Sequence, residues 1–254
     1  MTISVCIATH NGEKYIKEQL DSILCQLSPS DEVIISDDGS SDNTISIIQS
    51  YLDPRIIQID HKSSDSDKYQ HPSYRVTKNF ENALSRATGD IIFLSDQDDV
   101  WHQTKVKEII TVFETQNTNL VLHDAVLTDG QNNIVANSYF KILKSIPGLK
   151  RNMIRNSYLG CCMAFDKTVL KNSLPFPKHL IAHDMWIGLI AEQTGNVAFI
   201  DQKLITYQRH ESSATSSGNK STNSILFKVK YRIEFLFQYI LRVIYLKFTK
   251  VKEK

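Results

Sequence analysis

The chain lacks the short motifs that mark the commoner nucleotide and hydrolase chemistries. No G-x-G-x-x-G follows its first apolar run, which argues against an NAD(P) enzyme, and no G-x-x-x-x-G-K-[ST] is present, which excludes a P-loop ATPase. A G-x-S-x-G elbow is also missing. Cysteine is scarce: Cys6, Cys25, Cys161 and Cys162 have no zinc-type spacing, and sequence neighbours seldom bridge, so the set reads as reduced and cytosolic. Charge of one sign is lacking too. A formal net charge of +1 argues against a general nucleic-acid binder. No apolar run is long enough to span a bilayer. With no basic leader and no small-residue cleavage site, Ile3–Ala8 reads as a strand and not a signal peptide.

What is present suits a sizeable core. The apolar fraction is 41%, and 254 residues accommodate one large α/β domain or two small ones. The first hundred residues alternate strand and helix: strands at Ile3–Ala8, Glu32–Ser36, Arg55–Ile59 and Ile91–Leu94, with helices over Glu13–Leu27, Asp42–Tyr51 and Val76–Ala87. His61–Tyr74 reads as a loop. Strands separated by helices of this length imply a parallel, Rossmann-like sheet with right-handed crossovers.

Beyond Trp101 the pattern changes. A helix is expected over Lys105–Gln116, then strands at Leu120–Leu127 and Ile134–Tyr139 around the Asp129-Gly130 turn. Cys161–Phe165 reads as a strand, His183–Glu192 as a helix ending near Gly195, and Val197–Ile200 as a short strand. No composition break divides these halves, so residues 1–211 are read as one domain, a nucleotide-type half (1–101) and a mixed half (102–211). Residues 212–224 have the composition of a flexible linker. Residues 225–254 read as a basic, amphipathic helix, suited over 225–248 to a membrane interface, or else to packing on the domain or on a second subunit.

Four polar clusters carry the chemistry. Asp96-Gln97-Asp98-Asp99-Val100-Trp101 leaves the buried run Ile91–Leu94. Ionised Asp is seldom buried without a partner, and capping a helix needs one carboxylate and not three. Ligands bind at the carboxyl ends of strands in open α/β sheets, and oxygen donors there suit Mg or Mn holding a phosphorylated substrate. Thr9-His10-Asn11-Gly12 leaves the first strand, where backbone amides can approach a nucleotide and Gly12 permits a tight turn. Asp37-Asp38-Gly39-Ser40-Ser41 leaves the second; Asp38 can accept from a base or ribose, while Ser40, Ser41 and Asp42 suit a turn and helix cap. His183-Asp184-Met185-Trp186 opens a helix, where Asp184 is either a cap or the general base for an incoming hydroxyl.

In this order, with Lys78-Asn79-Phe80, Gly160-Cys161 and Tyr207-Gln208-Arg209-His210 added, the chain resembles the family 2 glycosyltransferases of GT-A fold over about residues 3 to 215. The Asp-Gln-Asp-Asp-x-Trp form with a later His-Asp is most similar to the rhamnosyltransferase branch, which uses dTDP-L-rhamnose in bacterial surface polysaccharides. The resemblance implies an inverting transferase with a divalent cation, Mn or Mg, a dTDP- or UDP-sugar donor and a glycan or lipid-linked acceptor at the inner face of the cytoplasmic membrane. It implies that Thr9, Asn11, Asp38 and Asp96 hold the nucleotide, and that Asp98 and His210 hold the metal. Asp184 would deprotonate the acceptor, and Asp99, Trp101, Gly160, His183 and Trp186 would shape the sugar pocket. Two positions depart from the family pattern: His10 stands for the usual Tyr, and Arg209 lies one place late in Tyr-Arg-x-His. A nucleotidyltransferase would need a glycine-rich basic loop where only Gly12 and Lys14 stand. A non-catalytic binding protein of polysaccharide assembly is the remaining alternative.

Overall fold

The computed structural model describes residues 1–61, 71–209 and 224–252. Four strands, β1 (Ile3–Thr9), β2 (Glu32–Asp37), β3 (Ile56–Asp60) and β4 (Ile91–Asp96), run parallel in the order β3-β2-β1-β4. Val5, Cys6, Ile7 and Ile91–Leu94 are apolar on both strand faces because helices cover both sides, which is why these segments read as continuous apolar runs. The chain winds outward from β1 to β3 and then returns to β4 on the other side of β1. That reversal leaves a crevice at the carboxyl ends of β1, β2 and β4.

Beyond β4 the same sheet continues through β8 (Met163–Asp166), β6 (Leu120–Asp129), β9 (Val197–Arg209) and the two-residue β5 (Val100–Trp101), with β7 (Ile134–Ala136) beside β6. The β6–β9 ladder is parallel, and those of β8, β7 and β5 are antiparallel. The result is the mixed, mainly parallel sheet expected for GT-A. Its helices are α1 (Ile16–Leu24), α2 (Thr44–Ser50), α3 (Pro72–Leu84), α4 (Lys105–Thr115), α5 (Tyr139–Leu143), α6 (Leu149–Ile154), α7 (Lys167–Ser173), α8 (His183–Thr194) and α9 (Ile225–Lys252).

Several boundaries differ from expectation, each for a local reason. Helix α3 starts inside the expected His61–Tyr74 loop: Pro72 occupies its first turn and the His71 ring accepts from the Ser73 amide at 3.2 Å. Strand β9 is much longer than Val197–Ile200. Its register jumps between the His123–Ile200 and Asp124–Lys203 pairs, so polar Asp201 and Gln202 are absorbed in a bulge and the strand resumes. Only Ile134–Ala136 of the expected Ile134–Tyr139 strand forms. Ser138 then caps α5, which buries Tyr139 and Phe140. Helix α7 was not expected; Asp166 caps it by accepting from the Val169 amide at 2.8 Å. The expected 212–224 linker, apart from Ser224, lies outside the described residues.

Helix α9 packs one face on the domain. Phe235 and Tyr239 stand edge-on to the Trp186 ring of α8 at 5.9 and 6.3 Å. Arg242 lies over the same indole at 5.4 Å and donates to the carbonyls of Asn172, Leu174 and Pro175. Trp186 is fully enclosed, its indole N–H donating to the Ser173 carbonyl at 3.0 Å. Among the described residues no helix is long and apolar enough to cross a membrane. Phe235→Ala should therefore cost on the order of 3 kcal/mol by leaving a cavity over Trp186, read as a lower thermal midpoint together with a red-shifted tryptophan emission. An unchanged emission would mean that α9 does not cover Trp186 in solution.

Candidate active site

The three parallel strand ends meet because residues pair across β1 in a fixed register, Thr9 beside Asp37 and Ala8 beside Asp96. Gln97 ties two of them together. Its amide accepts from the His10 N–H at 2.9 Å and donates to the His10 carbonyl at 3.2 Å. A Cβ on Gly12 would lie 2.4 Å from the Gln97 amide oxygen, so the close approach of these loops is why glycine stands there. Asn11, at φ 50°, accepts from the Ser41 amide, while its own amide donates to the Ser40 hydroxyl, both at 2.8 Å. Asp37 is spent on the turn: it accepts from the Ser40 amide and hydroxyl and from Thr9 Oγ1 at 2.9 Å. The Thr9 hydroxyl, expected at the nucleotide, thus joins β1 to β2.

Asp38 is nearly buried and held between a guanidinium and an imidazole. Arg75 of α3 approaches one carboxylate oxygen at 2.6 Å and His61 Nδ1 the other at 3.0 Å. Sequence reasoning missed both, since nothing in their spacing ties them to Asp38. The arrangement fixes the carboxylate at the mouth of the crevice and leaves the Arg75 Nε buried without a partner.

At the exit of β4 the carboxylates crowd together. Ligand atoms of Asp96, Asp99 and Cys161 all lie within 4.8 Å of one another. Burial first, then the negative charge of Asp98, pushes the Asp96 carboxyl up to about 7. Burial, then Asp96 and Asp98, raises Asp99 well above the usual carboxylate range. Both Asp99 oxygens are buried without a well-formed hydrogen bond. Burial also raises the Cys161 thiol, so sulfur stays protonated and the effective donors are oxygens. Orphaned, mutually repelling carboxylate oxygens are what a hard divalent cation relieves, and the residues present fit Mg or Mn.

Lys105, the first residue of α4, is a site residue that sequence reasoning missed. Its ammonium is fully buried, 4.0 Å from the Trp101 ring centroid, and donates to the Cys161 carbonyl at 2.9 Å. Burial draws its pKa down to about 8, against the upward pull of the cysteines and of Asp99 and Asp96. Trp101, expected in the sugar pocket, is almost wholly buried, stacked near Phe93 at 5.4 Å, and serves as the floor under this lysine. The sequence signal was available only as a Lys four residues after Trp101, indistinguishable from a solvated helix start.

The second half supplies His183 and Asp184 at the first turn of α8. The His183 ring stacks on Phe80 at 4.5 Å and shares a contact with Thr77 Oγ1 at 3.3 Å; burial lowers its pKa to about 4, so it is neutral. Asp184 accepts from the Met185 amide at 2.7 Å, and burial raises its carboxyl to about 6. Asp184 lies near enough to Asp96 to push its pKa up further, which brings the two halves into one site. A Cβ at Gly160 would sit 3.3 Å from His183 Nε2 and 4.0 Å from Asp184 Cβ, so this glycine makes room for those side chains. Trp186, also expected in the pocket, is enclosed under α9 and we assign it to docking that helix. His210 lies outside the described residues.

These shifts have a signed consequence. Asp96 and Asp184 take up protons more readily folded than unfolded, so their contribution is full at about pH 4 and is lost as pH rises through about 6 to 7. Neutral, buried His183 acts in the opposite direction over the same range, so the effect is read as a difference: relative to Asp96→Asn, the metal-free protein should lose on the order of 2 kcal/mol between pH 4.5 and 7.5, discounted for the partial solvent contact of Asp96. Mn should lessen or reverse that trend by favouring the ionised forms. Thermal melts of both proteins across pH, with and without Mn, check this; a metal-free difference between them that does not change with pH would contradict it. Lys105→Met should lower the thermal midpoint of the metal-free protein, and added Mn should recover more of that loss than it adds to the wild type.

A model of glycosyl transferase family 2 matches residues 4–174. The dTDP-rhamnosyl transferase RfbG of Shigella flexneri is 27% identical over 238 residues, covering 89% of this chain and 77% of the relative. The UDP-Glc:alpha-D-GlcNAc-diphosphoundecaprenol beta-1,3-glucosyltransferase WfgD of Escherichia coli is 24% identical over 220 residues, 86% of this chain and 80% of its own. The S. aureus TarS 1-349 structure in complex with UDP-GlcNAc superimposes with a TM-score of 0.66 at 23% identity, and the match covers 87% of this chain but 62% of that one. Fold, strand-exit clusters and family model agree, and the chain belongs to glycosyl transferase family 2.

Proposed function

We propose that the protein moves a sugar, with inversion, from a nucleotide-diphosphate donor to a hydroxyl of a glycan or lipid-linked acceptor on the cytoplasmic side of a bacterial membrane. The observation that carries this reading is the convergence of Asp184 with the Asp96–Asp99 carboxylates at the carboxyl ends of β1, β2 and β4. Asp38, oriented by Arg75 and His61, accepts from the base and Asp96 completes the nucleotide side, while Thr9 and Asn11 hold the strand-exit loops that shape it. A divalent cation, Mn or Mg, held by Asp98 with Asp96 and Asp99 beside it and with His210, would offset charge developing on the departing diphosphate.

Asp184 takes the proton of the acceptor hydroxyl as that oxygen attacks the anomeric carbon from the face opposite the diphosphate. A carboxyl raised to about 6 is suited to this: at neutral pH it is mostly ionised yet basic enough to accept a proton. Neutral His183, wedged against Gly160, holds the first turn of α8 in place. The dTDP-rhamnosyl relative supports dTDP-L-rhamnose as donor, and the glucosyl relative and the UDP-GlcNAc complex of TarS support a UDP-sugar as the second reading.

Thermal shift against UDP, dTDP, GDP and ADP, each with and without Mn, tests the donor. Stabilisation by dTDP or UDP that requires metal is expected, and no response to any nucleotide would count against a transferase. Asp98→Ala should lose metal-dependent donor binding. Asp184→Asn should bind donor normally and lose turnover by at least a hundredfold. Equal loss of donor affinity in both variants would remove Asp184 from the role of base. In the wild type, turnover at saturating donor should fall as pH drops below about 6, where Asp184 becomes protonated.

A further inference from the structure

Helix α9 has two apolar faces, and the domain covers only one. On the side turned away from Trp186 lie Leu226, Ile233, Phe237, Ile240, Ile244 and Phe248, spaced to form one stripe about 33 Å long. Ile233 is 66% exposed, Phe237 58% and Phe248 69%. Scattered exposed leucines need no explanation, but a continuous stripe of this size on a helix already anchored on its other side does.

Charge says what covers it. Between residues 225 and 252 stand seven Lys and Arg against the single Glu234, a formal +6, which leaves −5 for the rest of the chain. Lys230, Arg232 and Lys247 are exposed beside or within the stripe. A second copy seated on this face would bring +6 against +6, with Glu234 already counted. An anionic lipid surface instead attracts the helix and repels the acidic body, so both terms orient the molecule the same way. We propose that the outer face of α9 docks on an anionic lipid bilayer, lying in the interface plane with its apolar stripe among the acyl chains and its lysines at the phosphates.

The placement of the helix bears on the reaction. Phe227 stacks on His71, the cap of α3, at 5.5 Å, and Tyr231 lies near enough to Asp184 for that charge to act on its hydroxyl. The first turns of α9 therefore border the acceptor side of the crevice. On the transferase reading, docking holds that mouth at the bilayer surface, where a lipid-linked acceptor would be presented. The docking itself does not depend on that reading.

Co-sedimentation of the full chain with phosphatidylcholine vesicles, with and without about one-third phosphatidylglycerol, tests the proposal with no donor or acceptor present. Binding should be roughly tenfold or more tighter to the anionic vesicles and should weaken with salt. The Ile233→Asp/Phe237→Asp double variant should abolish it while leaving the thermal midpoint and metal-dependent nucleotide binding unchanged, since both side chains face away from the domain. Equal binding to both vesicle types, or none to either, overturns the proposal. So does a stable wild-type dimer in sedimentation velocity that the double variant converts to monomer without any vesicle binding in the wild type; that outcome would assign the face to a second copy. A chain that binds anionic vesicles yet no nucleotide would keep this inference and lose the transferase one.

Discussion

The site is organised around carboxylates that the fold keeps too close together and too dry. Asp96, Asp98 and Asp99 leave β4 within three residues, and the crossover back to β1 forces that exit into the crevice between two loops. Desolvation and mutual repulsion oppose the ionisation of Asp96 and Asp99, and one buried ammonium, Lys105, opposes that in turn. Three carboxylates and one ammonium, all ionised, leave two negative charges, the complement of a divalent cation. The lysine thus does more than neutralise: it limits the deficit to what one such ion can satisfy. Its own cost is met by the Trp101 face and the Cys161 carbonyl, which explains why an aromatic and a tight turn after Gly160 belong to the same local design.

Around that centre, most of the polar residues at the strand exits hold loops in place. Asp37, Gln97, Asn11 and Thr9 all satisfy neighbouring backbone or hydroxyl groups. Gln97 is the clearest case, since one amide pins the β1 loop to the β4 exit and dictates glycine at position 12. Pre-organisation of this kind lets Asp38 and the Asp96–Asp99 group stand ready without reordering when a charged nucleotide arrives.

The sequence showed the parallel half and its acidic exits because both follow from local rules: apolar runs four to six residues long, turn residues after them, helices between. It did not show the residues that complete the site from a distance. Lys105 resembles any polar helix start until the fold closes over it, and Arg75 meets Asp38 only because α3 packs across β1 and β2. Strand β9 was cut short at Ile200 because polar Asp201 and Gln202 interrupt its apolar pattern, although a bulge carries the ladder past them. The two tryptophans expected in the pocket are a related case. Large aromatics next to acidic motifs read as ligand platforms, whereas here Trp101 and Trp186 are buried supports, one under a lysine and one under a helix.

Trp186 also shows how the two faces of the first turn of α8 divide the work. Its first turn carries Asp184 into the crevice, and two residues later the same helix turns an indole outward to receive Phe235, Tyr239 and Arg242. One helix therefore fixes both the carboxylate that faces Asp96 and the platform on which α9 lies. The Asp184 carboxylate and the exposed, basic, apolar face of α9 are thus held in a fixed relation through a single turn of α8.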